Sequence, residues 1–302
     1  MKLNTLFRKK TLIALGAFLV TVSFLIAGCG GADTGSTAGD LEEKTVINIG
    51  KDVYPNSWPS AYVIKYVAEE LGYETNFVEG DIGFMFTGLA QDDIDIFADA
   101  WLPTLHKSYI DRYGDKIELA GVHYEDAAMG IGVPAYVDIQ DYADLKGRGD
   151  EFNNQIIGIG PSAGIMITAQ KTLEHYGIED EYDIVEGSTA AMLAALDKAT
   201  KLKKPILFLP WRPHTMWQKY DIKLLQNDTS GLWKFDNCYT AVNDDFKEKA
   251  PDLYTFAQNF KMSIGEIEKL MLESDEDEEK TAALAQQWME DNRLKIDEWL
   301  GK

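Results

Sequence analysis

The feature that most constrains the fold is a strand–helix–strand alternation that runs once, stops, and begins again. Alternating apolar residues at Val46-Ile47-Asn48-Ile49 read as a strand, and helical periodicity over residues 61–71 ends at Gly72. Residues 73–78 read as a second strand, 84–90 as a second helix and 94–98 as a third strand. A fresh set opens near Met129, with an apolar strand through Val133, a short helix near Tyr142 and a strand over residues 156–159. Helices over 163–176 and 188–200 follow, with strands near Ile184 and at 206–209; beyond Asn243 the pattern is helical to the end. Such alternation implies a parallel sheet covered on both faces. Two sets imply an α/β chain with two lobes. The chain is expected to leave the first lobe near residues 122–129 and to return near 237–242. One lobe would then hold residues 45–125 plus 238–302, and the other 126–237. Ligands of open α/β sheets sit at the carboxyl ends of the strands, and two lobes facing across a cleft suit closure on a small solute.

The N-terminus predicts the compartment. Lys2, Arg8, Lys9 and Lys10 precede an apolar run that closes on Leu25-Ile26-Ala27-Gly28-Cys29. The short run and its small-residue close read as a secretory signal over residues 1–28, and small residues before Cys29 fit a lipobox in which that thiol is acylated. Residues 29–44, rich in Gly, Ala, Ser and Thr, read as a flexible tether. The chain is thus expected to be a membrane-anchored lipoprotein on the extracytoplasmic face. Its other cysteine, Cys238, has no partner for a structural disulfide and sits among apolar and aromatic residues, as a buried thiol would.

Charge narrows the partners. The chain carries −21, and loss of a leader with four positive charges and no acid leaves −25. Nucleic acid is excluded as a partner by this balance, because phosphate binding needs clustered Lys and Arg. No zinc-ligand spacing, nucleophile elbow or phosphate-binding loop is present. Neither a metal nor a cofactor is expected, and no catalytic residue stands out. Gly158-x-Gly160-x-x-Ala163, with Glu186 further on, matches the short dinucleotide fingerprint and suggests a nicotinamide enzyme as an alternative. Pro161 inside the turn and an exported location both count against it.

Three tryptophans stand at the ends of predicted strands, each within two residues of a proline: Trp58, Trp101 and Trp211. Together they suit one ligand chemistry. A trimethylammonium group is charged but has no N–H to offer an acceptor, whereas an aromatic face attracts it by about 2 kcal/mol per desolvated ring. Three rings alone do not reach micromolar affinity once the cost of association is counted, so an anionic anchor is needed. The turn Gly158–Met166 follows a strand and enters a helix, and its first-turn amides can hold a carboxylate. His106, five residues past Trp101, could add a further donor. Tyr54 is an alternative wall to Trp58, and His214 is a secondary candidate.

These stretches make the chain resemble the glycine betaine/proline betaine substrate-binding proteins of ABC transporters. The matching segments are Trp58-Pro59-Ser60 leading into Tyr62–Val67, Ala100-Trp101-Leu102-Pro103-Thr104-Leu105-His106, Ala163-Gly164-Ile165-Met166 and Trp211-Arg212-Pro213-His214. The resemblance implies a two-lobe periplasmic-binding-protein-like (type II) fold that captures a betaine osmoprotectant without catalysis and delivers it to a permease and ATPase. It also implies an ammonium cage of Trp58, Trp101 and Trp211, and a carboxylate held by the amides of Gly164 and Ile165 and by His106. Phe84 and Phe86 are expected as supporting packing. Choline or carnitine is the alternative within transport; choline has no carboxylate for those donors.

Overall fold

The structure is a computed structural model that describes residues 44–302. The expected leader over 1–28, the acylated Cys29 and all of the tether except Lys44 lie outside the described residues. Among the described residues no helix is long and apolar enough to cross a membrane.

The first lobe is laid down as β1 (Val46–Asp52), α1 (Trp58–Glu70), β2 (Glu74–Gly80), α2 (Ile82–Ala90), β3 (Ile96–Leu102), α3 (Lys107–Tyr113) and β4 (Ile117–Ala127). The second follows as β5 (Gly132–Pro134), two 3-10 turns (Tyr142–Leu145 and Gly149–Phe152), β6 (Gln155–Ile157), α4 (Gly164–Tyr176), β7 (Asp183–Val185), α5 (Thr189–Leu202), β8 (Leu207–Phe208), α6 (Met216–Lys219) and β9 (Ile222–Leu224). The chain returns through β10 (Asp236–Asn243) and ends in α7 (Phe246–Lys249), α8 (Pro251–Asn259), α9 (Ile264–Ser274), α10 (Glu278–Asp291) and α11 (Arg293–Trp299). The first sheet has the order β2-β1-β3-β10-β4 and the second β7-β6-β8-β5-β9. α10 packs on α1 and α8 on β4, so the C-terminal helices cover the first lobe.

Neither sheet is purely parallel, which corrects the sequence-based expectation. β10 runs antiparallel to both β3 and β4, and β5 runs antiparallel to β8 and β9. The cause is connectivity: β10 is the return from the second lobe, and it enters the first sheet from the opposite end. β4 was invisible as a strand because its mixed burial gives no alternation of period two. Its Gly121 matters for packing, since a Cβ there would meet the backbone oxygen of Gln258 on α8 at 2.4 Å.

Two boundary shifts bear on the site. β3 runs on to Leu102, so Trp101 lies within the strand and not after it. From Ile96 to Trp101 every residue is buried, as expected of a central strand flanked by β1 and β10. α1 begins at Trp58, with Pro59 in its first turn where a missing N–H costs nothing.

Candidate functional site

Strand ends and helix starts from both lobes converge on one cleft. From the first lobe come Tyr54 and Asn56 on the β1–α1 turn, Ile82 at the start of α2, Asp99 and Trp101 on β3, and Leu105 and His106 beyond it. From the second come Ile159, the turn residues Ala163, Gly164 and Ile165, and Trp211 after β8. The space between them is small, about 40 Å³. It suits a compact solute and is far too small for a dinucleotide.

Three aromatic rings wall the cavity, and each is nearly buried: Tyr54, Trp101 and Trp211. Tyr54 and Trp211 meet edge to face with ring centroids 5.9 Å apart. Hydrogen bonds fix both indoles. Trp101 Nε1–H donates to the Asp99 carboxylate at 2.7 Å, one strand period away on the same face. Trp211 Nε1–H donates across the cleft to Asn56 Oδ1 at 3.1 Å. Asn56 in turn donates through Nδ2 to Asp99 at 3.2 Å. The rings therefore present their faces with no free N–H.

The opposite requirement, donors for an anion, is met at the α4 start and at His106. α4 has no side-chain cap, and among the described residues no acceptor meets the Gly164 or Ile165 amide. Orphan amides at a helix start can hold an anion. His106 is buried, and its Nδ1 accepts from the Trp101 amide at 2.9 Å. That bond leaves the ring proton on Nε2, the nitrogen that remains for the cavity. Burial holds the imidazole down to about 3 from its ordinary 6.5, so it is a neutral donor. Asp236 pins the loop before it by accepting from the amides of Thr104 and Leu105 at 2.8 and 2.9 Å.

The lobes meet closely. A Cβ on Gly164 would lie 2.1 Å from the Leu105 carbonyl oxygen, so only glycine permits this approach. Tyr109 on α3 donates to the Ser162 carbonyl at 2.8 Å, and Arg212 makes a two-bond ion pair with buried Glu268 on α9.

Of the residues singled out from the sequence, Trp101, Trp211, His106, Gly164, Ile165 and Tyr54 line this cavity together. Trp58, expected as a cage wall, is not among the lining residues. It starts α1, half-buried, and its Nε1–H donates to the Asp52 carbonyl at 2.9 Å. Its ring faces the Lys51 ammonium at 5.5 Å, which also lies 5.8 Å from the Tyr62 ring and 5.2 Å from that of Phe77. The indole thus already serves a cation of the protein itself. His214 is buried outside the lining, edge to face with Trp211 at 4.9 Å, and burial lowers it to about 4. Phe86 packs as expected, stacked on Tyr109 at 5.0 Å and edge-on to His106 at 5.1 Å, whereas Phe84 is 47% exposed. Cys238 is buried, and desolvation pushes its thiol up. Asp99 and Asn56 were not foreseen. An acid inside the apolar run of β3 was the available signal, because a charge is buried there only with partners.

Residues 45–291 match the family described as the substrate binding domain of ABC-type glycine betaine transport system. The glycine betaine/carnitine transport binding protein GbuC of Listeria monocytogenes is 33% identical over 159 residues, 52% of this chain and 53% of that protein. The chain thus spans about half the length of this curated relative. Among solved structures, the glycine betaine, L-proline ABC transporter binding protein (ProX) of Borrelia burgdorferi is 31% identical. Its TM-score is 0.81, covering 84% of this chain and 96% of that one. Lactococcal OpuAC, in a closed-liganded conformation with glycine betaine, is 28% identical with a TM-score of 0.78, covering 85% and 100%. The match over 45–291 exceeds half the chain and agrees with the two-lobe architecture: this protein belongs to the substrate-binding family of ABC-type glycine betaine transport systems.

Proposed function

We propose that this chain is a non-catalytic receptor that captures glycine betaine, or a closely similar betaine, outside the cytoplasm and hands it to an ABC permease and ATPase. The observation that carries the reading is the pairing of opposites in one small cavity. Tyr54, Trp101 and Trp211 offer aromatic faces at its walls, and the α4 amides with His106 Nε2–H offer donors beside them. Aromatic faces attract a cation that cannot donate, and the donors satisfy an anion that cannot be left dry. A betaine carries both groups a few bonds apart. In this assignment Tyr54 takes the third wall in place of Trp58. The relatives named for glycine betaine support the same ligand class. Acylation of Cys29 would anchor the receptor, since a surface of net negative charge gains nothing from an anionic bilayer.

The test is a tryptophan-fluorescence and calorimetric titration of the folded chain with glycine betaine, proline betaine, carnitine and choline. Glycine betaine or proline betaine should bind most tightly, and choline at least about tenfold more weakly for want of a carboxylate. Choline binding as tight as betaine would reject the role given to the amides and His106.

A further inference from the structure

Asp99 is 3% exposed, lines the ligand space and stands on the central strand. It accepts from Trp101 Nε1 at 2.7 Å, from Asn56 Nδ2 at 3.2 Å and from the Tyr124 hydroxyl at 3.2 Å. Behind it lies a second buried carboxyl, Asp52, close enough to share a hydrogen bond with it. Asp52 accepts through Oδ1 from the Tyr54 amide and the Ser57 hydroxyl, both at 2.8 Å, while its Oδ2 meets no donor among the described residues. An acceptor-only oxygen in that place would be costly, whereas a protonated Oδ2 can donate to Asp99. The surroundings thus collect donors on Asp99 and leave Asp52 to carry the proton.

We propose that Asp99 supplies the negative charge that pairs with the ligand's ammonium head, so that the cavity selects a cation and not merely an apolar group of the same shape. The inference rests on the betaine reading and adds to it. Aromatic walls favour a trimethylammonium group modestly; a carboxylate in the same dry space discriminates far more, because Coulomb attraction is little screened there. Among the described residues no lysine or arginine lines the cavity to neutralise Asp99. The titratable groups facing the pair are Tyr54, Tyr124, Cys238 and His106. Burial raises the first three and holds His106 down to about 3, so near neutrality none of them sets a positive charge beside the pair. Desolvation raises both carboxyls above the usual range, and an arriving cation favours the ionised form of Asp99.

The experiment compares glycine betaine with 3,3-dimethylbutanoate, which has a tert-butyl group in place of trimethylammonium and keeps the carboxylate. Asp99→Asn should weaken betaine by about thirtyfold or more and the neutral-headed analogue by less than about threefold. Equal losses for both ligands would overturn the inference. Trp101→Phe removes the N–H that Asp99 holds but keeps the carboxylate. If Asp99→Asn adds no loss on that background, Asp99 acts only by orienting Trp101 and the proposal fails. A measurement without substitution guards against misfolding of the variant. The unaltered chain should bind glycine betaine at least about thirtyfold more tightly than 3,3-dimethylbutanoate by calorimetry, and equal affinities would overturn the proposal. An unaltered chain that binds no quaternary ammonium compound would sink the functional reading and this inference together. Betaine binding with equal losses in Asp99→Asn would sink this inference alone.

Discussion

Gly164→Ala should separate folding from ligand capture. Gly164 opens α4 at an ordinary negative φ, so alanine suits its backbone and, in a helix, is preferred over glycine by up to about 1 kcal/mol. The obstacle lies across the cleft. The added Cβ would stand 2.1 Å from the Leu105 carbonyl oxygen, 2.6 Å from its carbon and 2.8 Å from the Leu105 Cα. All three are backbone atoms, so no side chain can turn away. Ordinary carbon–oxygen contact needs about 3.3 Å, which forces the lobes apart by about 1 Å at this point. A hydrogen bond of about 2.9 Å stretched by that amount is no longer one. Loss of one charge-assisted bond from the α4 amides to a carboxylate costs about 1.5–3 kcal/mol, or about 10- to 150-fold in affinity. Calorimetry with glycine betaine reads the affinity, and thermal unfolding without ligand should show a Tm unchanged or raised. Binding at unaltered affinity would refute the argument, since the variant would have closed without the approach that glycine allows.

Other substitutions probe the remaining parts of the site. Tyr54→Ala should weaken betaine by about 1–3 kcal/mol through loss of a desolvated wall, while Trp58→Phe should change it by less than about twofold; the reverse ranking in a fluorescence titration would return Trp58 to the cage. His106→Ala should cost glycine betaine at least about tenfold and choline far less, and equal losses would reject its carboxylate contact. Burial holds His123 near 4 against 6.5 when unfolded, so its stabilising contribution is complete above about pH 6.5 and is lost as pH falls toward 4. His123→Gln, which can keep a hydrogen bond to Ser60, should therefore flatten the fall in stability over that window by about 2–3 kcal/mol. Denaturant unfolding at both ends of the range decides it, and parallel pH profiles for the two proteins would refute it.

The sequence alone determined the elements whose signal is local. Amphipathic periodicity marked α1, α4 and α5, apolar alternation marked β1, and short apolar stretches marked β3 and β6, because side-chain pattern and backbone period coincide within a few residues. The same local reading singled out Trp101, Trp211, His106 and the Gly164 turn as candidates, since each sits at a strand end or a helix start. Only the tertiary structure decided matters that depend on partners distant in the chain. It inserted β10 antiparallel between β3 and β4, gave the Trp58 ring to Lys51, and brought Tyr54 against Trp211 from the other lobe. It also joined Asp52 and Asp99, 47 positions apart, beside the cavity. Periodicity carries no record of which faces meet across a cleft. That is settled by packing and by the need of each buried polar group for a partner.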